Sequence, residues 1–190
     1  MGVSDEGPER KRVGCRGAGC GGNIMVLFYS IGRVMFSIAF VCTGNACRSP
    51  FAECVMRRML EESGMSGVNV CSMGTLDWGK NPRDADMRQV AEEMGYALTG
   101  TTTSMTREAL FAADLVIVFE ARQRDAVTRV LDYSHWDRIV LFDRVAFGRD
   151  GEVEDPCGQR ADVYRAVAAH IEEGCRSLVR EWQERPPKIE

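Results

Sequence analysis

The sequence has few closely spaced residues of the types that hold structural metal ions. Its two histidines, His135 and His170, lie far apart, and its eight cysteines include no pair with the C-x2-C spacing. Structural zinc sites usually draw on such closely spaced cysteines and histidines. The sequence therefore predicts no metal site, and nothing in it calls for a cofactor.

No hydrophobic run in the amino-terminal part is long enough to cross a bilayer. The run "IMVLFYSI" has eight residues, whereas a membrane-spanning helix needs about 20 apolar residues. Lengthening it would consume "MFSIAFVC", which reads as a buried strand. The sequence therefore predicts no membrane partner.

Charge of one sign is also lacking, because the formal net charge of the 190 residues is only −4. A protein that coats nucleic acid would need a basic excess or a clustered basic face. The arginines of the body are instead interspersed with acids, which is typical of solvated helix faces. These residues are Arg57, Arg58, Arg83, Arg88, Arg122, Arg124 and Arg129. We therefore expect no nucleic-acid partner.

The eight cysteines do not form the pattern of a secreted disulfide scaffold. Such scaffolds are usually shorter than about 100 residues and poor in long periodic helices. Cys54 and Cys71 instead fall in a predicted helix and a predicted strand, where cysteine acts as a small apolar residue. The sequence therefore predicts a reducing, cytoplasmic location.

The chain divides into a domain and two flanking segments. Residues 1–34 are rich in glycine and charge without an apolar period, and this composition predicts a disordered extension. Residues 35–184 carry the regular patterns and are predicted to form one domain, followed by a tail at 185–190. One domain of this size is long enough to bury a full hydrophobic core.

Within the domain, short apolar runs alternate with helical patterns. The runs "MFSIAFV", "VNVCSMG", "DLVIVF" and "DRIVLF" predict strands, and amphipathic segments follow each of the first three. A long helical pattern over 161–182 closes the chain. This alternation predicts a single-domain α/β fold with a four-stranded central parallel sheet flanked by helices.

The loop between the first strand and the first helix carries the chemistry. Gly44 lets the backbone curl, and Asn45 belongs to the few residue types that tolerate a positive φ. The resulting ring of N–H groups, together with the helix amino terminus, predicts a phosphate-binding loop. Arg48 adds a planar fork for two phosphate oxygens. A Cys42 thiol held in this positive cup is expected to ionise and act as a nucleophile.

The amino terminus of the first helix is predicted from two residues of the same loop. Ser49 suits the N-cap position, and Pro50 suits the first helical position that follows it. Gly64 suits the carboxyl-terminal stop of this helix.

The segment "VCTGNACRSP" resembles the signature loop of the low-molecular-weight protein tyrosine phosphatases. "CSMGTLDWG" is similar to the exit of the second strand in that family, and "EDPCG" is similar to its Asp-Pro loop. The resemblance implies a phosphomonoester hydrolase that forms a phosphocysteine on Cys42 and needs no cofactor. It also implies phosphorylated proteins or small aryl phosphates as substrates.

The resemblance assigns further roles. Asp155, stiffened by Pro156, is implied as the general acid, so that Cys42, Arg48 and Asp155 are the expected catalytic residues. Asn45 and Ser72 resemble the pair that holds the loop, and the Ser49 hydroxyl is expected to hydrogen-bond the thiolate. Cys47 resembles a cysteine that can trap oxidised Cys42, and Trp78 resembles an aromatic wall. The implied substrate-binding set is Thr43, Gly44, Asn45, Ala46, Cys47, Ser49 and Trp78.

The sequence departs from the family pattern at three places. Cys157 and Gly158 replace expected tyrosines, "GTTTSMT" replaces a His-x-x-Arg pattern, and Ala46 is smaller than the residue that tyrosine-directed or arginine-phosphate-directed relatives carry. A protein arginine phosphatase is therefore an alternative. So is a thioredoxin-coupled arsenate reductase, although "FEARQRDAVTRVLDYSHWD" lacks its redox cysteines. A non-catalytic phosphate-binding module is a third alternative.

Overall fold

The computed structural model describes residues 36–187. The predicted disordered extension at residues 1–34 lies outside this range, as do the last three residues of the predicted tail. Four strands form one parallel sheet in the order β2-β1-β3-β4. They are β1 (Phe36–Cys42), β2 (Val68–Gly74), β3 (Leu115–Val118) and β4 (Ile139–Leu141). The predicted four-stranded parallel sheet is confirmed.

Six α-helices surround the sheet within residues 36–187. They are α1 (Arg48–Glu62), α2 (Ala85–Glu93), α3 (Arg107–Ala112), α4 (Ala121–Thr128), α5 (Phe142–Phe147) and α6 (Ala161–Glu184). None of the helices in the described range has both the length and the hydropathy that crossing a bilayer requires.

The side chains of β1 alternate between two apolar clusters, one on each face of the sheet. Phe36, Ile38 and Phe40 pack in the cluster that contains buried residues of α1, α5 and α6. Ala39 and Val41 pack in the opposite cluster, which contains buried residues of α3 and α4. Because strand side chains point alternately to the two faces, the continuous apolar run places helices on both sides of the sheet.

The strand order places the loop between β1 and α1 at the carboxyl end of a central strand. From β1 the chain moves to β2 on one side, and then passes back across to β3 on the other side. The carboxyl ends of β1 and β3 therefore flank the crevice where the strand order reverses. Ligands bind at this point in open α/β sheets.

The prediction for the fourth strand is wrong at both ends. The run "DRIVLF" predicts a strand through Phe142, but β4 has only three residues and Phe142 begins α5. Its ring stacks on Phe119 at a centroid distance of 5.4 Å and meets Phe147 edge-on at 6.4 Å. At the other end, the first two residues of the predicted strand belong to a 3₁₀ helix (Tyr133–Arg138). At Phe142, aromatic packing therefore overrides the strand propensity.

Helix α6 approaches α5 closely because Gly174 lacks a side chain. A Cβ atom at this position would overlap the ring of Phe142 and lie 3.1 Å from Ala146 Cβ. Near this contact His170 Nε2 lies 2.5 Å from Asp143 Oδ1, which also joins the two helices. The contact between α5 and α6 therefore depends on a glycine in the middle of a helix.

We predict that Gly174→Ala lowers the free energy of unfolding by about 1–2 kcal/mol. Because the new Cβ atom would overlap the Phe142 ring, overpacking should cost about 2–3 kcal/mol, the upper part of the usual range. The gain of roughly 1 kcal/mol in helix propensity offsets only part of this cost. Chemical denaturation measures the change. Gly67→Ala is the control, because no atom lies within 4 Å of its Cβ position. An alanine variant at 174 as stable as this control would contradict the packing argument.

Candidate active site

Cys42 is the last residue of β1, and its thiol lies at the base of the loop formed by residues 43–47. The side chain is buried. The backbone N–H of Asn45 donates a hydrogen bond to Cys42 Sγ at 3.2 Å, and Ser49 Oγ donates another at 3.0 Å. Two donors, one from the loop backbone and one from the first turn after the loop, therefore converge on the sulfur.

Asn45 holds the loop in its curled conformation. It has a φ of 53°, and among residues 36–187 no other non-glycine residue has a positive φ. Its side-chain Nδ2 donates to Ser49 Oγ and to Ser72 Oγ, both at 2.9 Å. Its Oδ1 accepts from the N–H of Thr103 at 2.8 Å. The predicted pairing of Asn45 with Ser72 is present, and the side chain is fully buried.

The predicted start of α1 is wrong by two residues. Cys47 is the N-cap and Arg48 the first helical residue, so Ser49 and Pro50 lie in the first turn. Ser49 Oγ has both Cys42 Sγ and the carbonyl of Met73, at 3.2 Å, as acceptors within reach. The hydroxyl therefore contacts Cys42 and β2 instead of capping the helix. The helix begins directly after the loop.

The guanidinium group of Arg48 is buried among acceptors. Its NH1 donates to the carbonyl of Val153 at 2.9 Å and lies 3.2 Å from Glu120 Oε2, and its NH2 lies 2.7 Å from Asp155 Oδ2. Only 1% of the side chain is exposed, and its Nε has no hydrogen-bond partner within the described part of the chain. A buried donor without a partner is costly, so this Nε is available to an incoming acceptor.

Asp155 lies directly at Arg48, on the segment that precedes α6. One third of its side chain is exposed, and its other carboxylate oxygen accepts from the N–H of Cys157 at 3.3 Å. The structure thus brings the carboxylate to the same arginine that follows the loop. Whether Asp155 acts as the general acid stays a prediction.

Two polar residues that the sequence analysis missed support the loop from β3. Glu120 lies two residues after the end of β3. It contacts Arg48 and accepts from Gln123 Nε2 at 2.6 Å. The same Gln123 amide lies 3.2 Å from Thr43 Oγ1, while its Oε1 accepts from the N–H of Phe119 at 2.9 Å. The sequence feature that could have identified both residues is their position just after the carboxyl end of a predicted central strand, where ligand sites form.

Arg83 contradicts the interpretation of the arginines as solvated. Its guanidinium NH1 donates to the carbonyl and to Oδ1 of Asn45. Burial lowers the pKa of Arg83 below the usual arginine value, although nearby Glu53 and Cys42 oppose this shift. The side chain therefore positions Asn45 and does not cover a solvated helix face.

The remaining predicted substrate-binding residues lie on or beside the loop. The indole of Trp78 is about half exposed and covers Gly44, where a Cβ atom would lie 2.6 Å from the ring. Ala46 is half-buried and its carbonyl accepts from the N–H of Asp84 at 3.2 Å. Burial, followed by the charge of Asp84, raises the pKa of the Cys47 thiol well above its usual range. Cys47 is therefore a protonated thiol in this environment.

Gly74, at the end of β2, lies beneath the loop and was also missed. It pairs with Cys42 in the parallel register. A Cβ atom here would lie 2.9 Å from Gly44 C and from Thr43 O, and 3.0 Å from Asn45 N. These are backbone atoms of the loop itself, so they have little freedom to move aside.

We predict that Gly74→Ala weakens orthovanadate binding and lowers kcat/KM, each at least tenfold. The new methyl group displaces the loop backbone, and small misplacements of a binding loop are costly. Vanadate inhibition and steady-state kinetics measure both quantities. The matched control is again Gly67→Ala, near the start of the same strand. Unchanged vanadate affinity in Gly74→Ala would contradict the close contact between β2 and the loop.

Comparison with known proteins finds relatives that are named as phosphatases. The chain is 31% identical over 150 residues to the low molecular weight protein-tyrosine-phosphatase Etp of Escherichia coli (strain K12), covering 78% of this chain and 93% of that protein. It is 29% identical over 144 residues to the protein-arginine-phosphatase of Bacillus subtilis (strain 168), covering 76% and 95%.

A solved structure of the YwlE arginine phosphatase has the same fold. Its TM-score is 0.73 at 28% identity, covering 79% of this chain and 97% of that chain. Residues 37–187 match the family described as low molecular weight phosphotyrosine protein phosphatase. The family resemblance that the loop predicted is thereby confirmed. The match covers nearly all of the described residues. The chain belongs to the low molecular weight phosphotyrosine protein phosphatase family.

Proposed function

We propose that this phosphatase hydrolyses phosphate monoesters through a phosphocysteine on Cys42. The observation that carries this proposal is the buried Arg48, whose Nε has no hydrogen-bond partner among residues 36–187 and whose NH2 pairs with the partly exposed carboxylate of Asp155. A guanidinium group in this state is prepared to bind two oxygens of a phosphate. Cys42 Sγ lies at the base of the same loop.

In the proposed first step, the Cys42 thiolate attacks phosphorus in line with the leaving group. The loop N–H groups and Arg48 hold the equatorial oxygens, where they stabilise the charge of the transition state. For this, the phosphate replaces Asp155 at Arg48 NH2. The S–P bond forms as the P–O bond to the leaving group breaks, and protonated Asp155 gives its proton to the departing oxygen.

In the second step, Asp155 takes a proton from water and the water oxygen attacks the phosphocysteine. Inorganic phosphate leaves, and Cys42 and Asp155 return to their starting forms. The solved YwlE arginine phosphatase supports this route, because in its cysteine-to-serine mutant the active-site serine is phosphorylated. A nucleophilic side chain at that position can therefore carry the phosphoryl group in a relative of this chain.

For the substrate we propose phosphotyrosine proteins or small aryl phosphates. Half-exposed Trp78 at the loop rim offers a surface for an aromatic ring. Phosphoarginine is the second candidate, because one relative is a protein-arginine-phosphatase. Position 46, at the same rim, holds an alanine. It therefore has neither the bulky apolar residue expected of tyrosine-directed relatives nor the threonine expected of arginine-phosphate-directed relatives.

We also propose a cytoplasmic location, since a nucleophilic Cys42 must stay reduced.

We predict that Cys42→Ser abolishes phosphatase turnover while orthophosphate still binds. The N–H groups and Arg48 remain in place, so only the nucleophile is lost. Turnover of an aryl phosphate and phosphate binding by calorimetry measure the two properties. Cys54→Ser, whose thiol lies in α1 away from the loop, is the control. More than a few per cent of the original kcat in Cys42→Ser would exclude Cys42 as the nucleophile.

We predict that Asp155→Asn slows the cleavage of poor leaving groups by about 10²-fold, as expected for loss of a general acid. Good leaving groups need little protonation and should be affected far less. A series of aryl phosphates with graded phenol acidity measures the difference. Glu154→Gln, the neighbouring exposed carboxylate, is the control. An equal loss across the series would show that Asp155 has another role.

We predict that residue 46 sets the preference between the two substrate classes. A misfit on the scale of a methylene group costs about 1–3 kcal/mol, so Ala46 should accept aryl phosphates with a modest KM. Ala46→Ile should shift kcat/KM towards phosphotyrosine peptides, and Ala46→Thr towards phosphoarginine. The ratio of the two kcat/KM values is compared in the three proteins. A constant ratio would exclude residue 46 as the selector.

A further inference from the structure

Three potential metal ligands from distant parts of the sequence meet beside the loop. Cys47 Sγ, a carboxylate oxygen of Asp84 and Cys157 Sγ all lie within 4.8 Å of one another. Cys47 is buried, Asp84 is half-buried and Cys157 is exposed. The cluster therefore reaches from the buried side of the loop to the protein surface.

The backbone around these ligands favours negative charge. Cys47 is the N-cap of α1 and Asp84 is the N-cap of α2, so the amino termini of two helices converge on the cluster. Helix amino termini stabilise thiolates and carboxylates. One oxygen of Asp84 accepts from the N–H of Met87 at 2.9 Å, which fixes the orientation of the carboxylate.

The two cysteines supply sulfur ligands to the cluster. Zinc binds such sulfurs as thiolates, and a coordinated thiol releases its proton to solvent when the metal binds.

We propose that Cys47, Asp84 and Cys157 bind one Zn²⁺ ion, with water as the fourth ligand. Two sulfurs and one carboxylate oxygen form a donor set that suits zinc, and tetrahedral coordination places such donors about 3.5–3.8 Å apart. From 4.8 Å the ligand atoms need to approach by about 1.3 Å at most. Exposed Cys157 supplies the entry path for the ion.

Zinc at this position would slow the phosphatase, and this consequence rests on the proposed function. Cys157 is two residues from Asp155, and Cys47 belongs to the phosphate-binding loop. An ion bound to both cysteines ties the Asp155 segment to the loop, in the arrangement where Asp155 Oδ2 lies 2.7 Å from Arg48 NH2. The substrate phosphate must displace this carboxylate. Zinc should therefore raise KM for phosphate esters.

Zinc binding is tested without turnover, in the Cys42→Ser background, so that the catalytic thiol cannot bind the ion. Competition with a chromogenic chelator measures affinity, and Co²⁺ substitution reports thiolate ligation through its charge-transfer absorption. We expect one ion per chain and at least a tenfold loss of affinity in Cys157→Ser and in Asp84→Asn. Asparagine preserves the cap of α2. The control is Cys54→Ser, which should bind zinc as before.

Unchanged affinity in Cys157→Ser, or an equal loss in Cys54→Ser, would overturn the site. The kinetic consequence is measured separately, with the Cys42 enzyme, as the effect of Zn²⁺ on KM for an aryl phosphate. Cys157→Ser should keep its basal activity and lose most of the zinc sensitivity. If zinc binds at the cluster but leaves KM unchanged, the site stands and its link to catalysis is overturned. The binding measurements do not depend on the proposed phosphatase mechanism.

Discussion

The positive φ of Asn45 is the constraint on which the site depends. A left-handed conformation is unfavourable for a residue other than glycine, by about 1–3 kcal/mol where it is held at a functional site. Hydrogen bonds to Ser49, Ser72 and Thr103, together with Arg83, offset this cost. The result is a loop that turns the N–H of Asn45 toward Cys42 Sγ. The sheet, α1 and the segment around Thr103 all contribute to one backbone angle.

A second requirement is electrostatic. Arg48 carries a positive charge in a buried position, and an unpaired buried charge is strongly unfavourable. Glu120 and Asp155 neutralise it in the absence of substrate. Glu120 is itself held by Gln123, whereas one third of Asp155 is exposed. The two carboxylates therefore differ in freedom, and the freer one is the residue that phosphate can replace and that the proposed mechanism then uses as an acid.

The sequence predicted the parts of this arrangement that depend on local spacing. Cys42 and Arg48 flank one short loop between a strand and a helix, so their placement at one site follows from the fold class. Contacts between distant segments leave no such signal. Arg83 reads as an ordinary surface arginine because only the fold brings it to Asn45. The close approach of Cys157 to Cys47 likewise depends on where the chain returns before α6. The helix that begins at Phe142 depends on aromatic packing, which strand propensity does not report.

The central claim is that the loop and Arg48 hold a phosphoryl group directly over Cys42. A crystal structure with bound orthovanadate tests this most directly, because vanadate adopts the geometry of the pentacoordinate transition state. We expect a bond between Cys42 Sγ and vanadium, hydrogen bonds from Arg48 Nε and NH2 to the equatorial oxygens, and Asp155 moved from Arg48 to the apical oxygen. Vanadate bound elsewhere, or an Arg48 still paired with Asp155 and without contact to the oxyanion, would contradict the account.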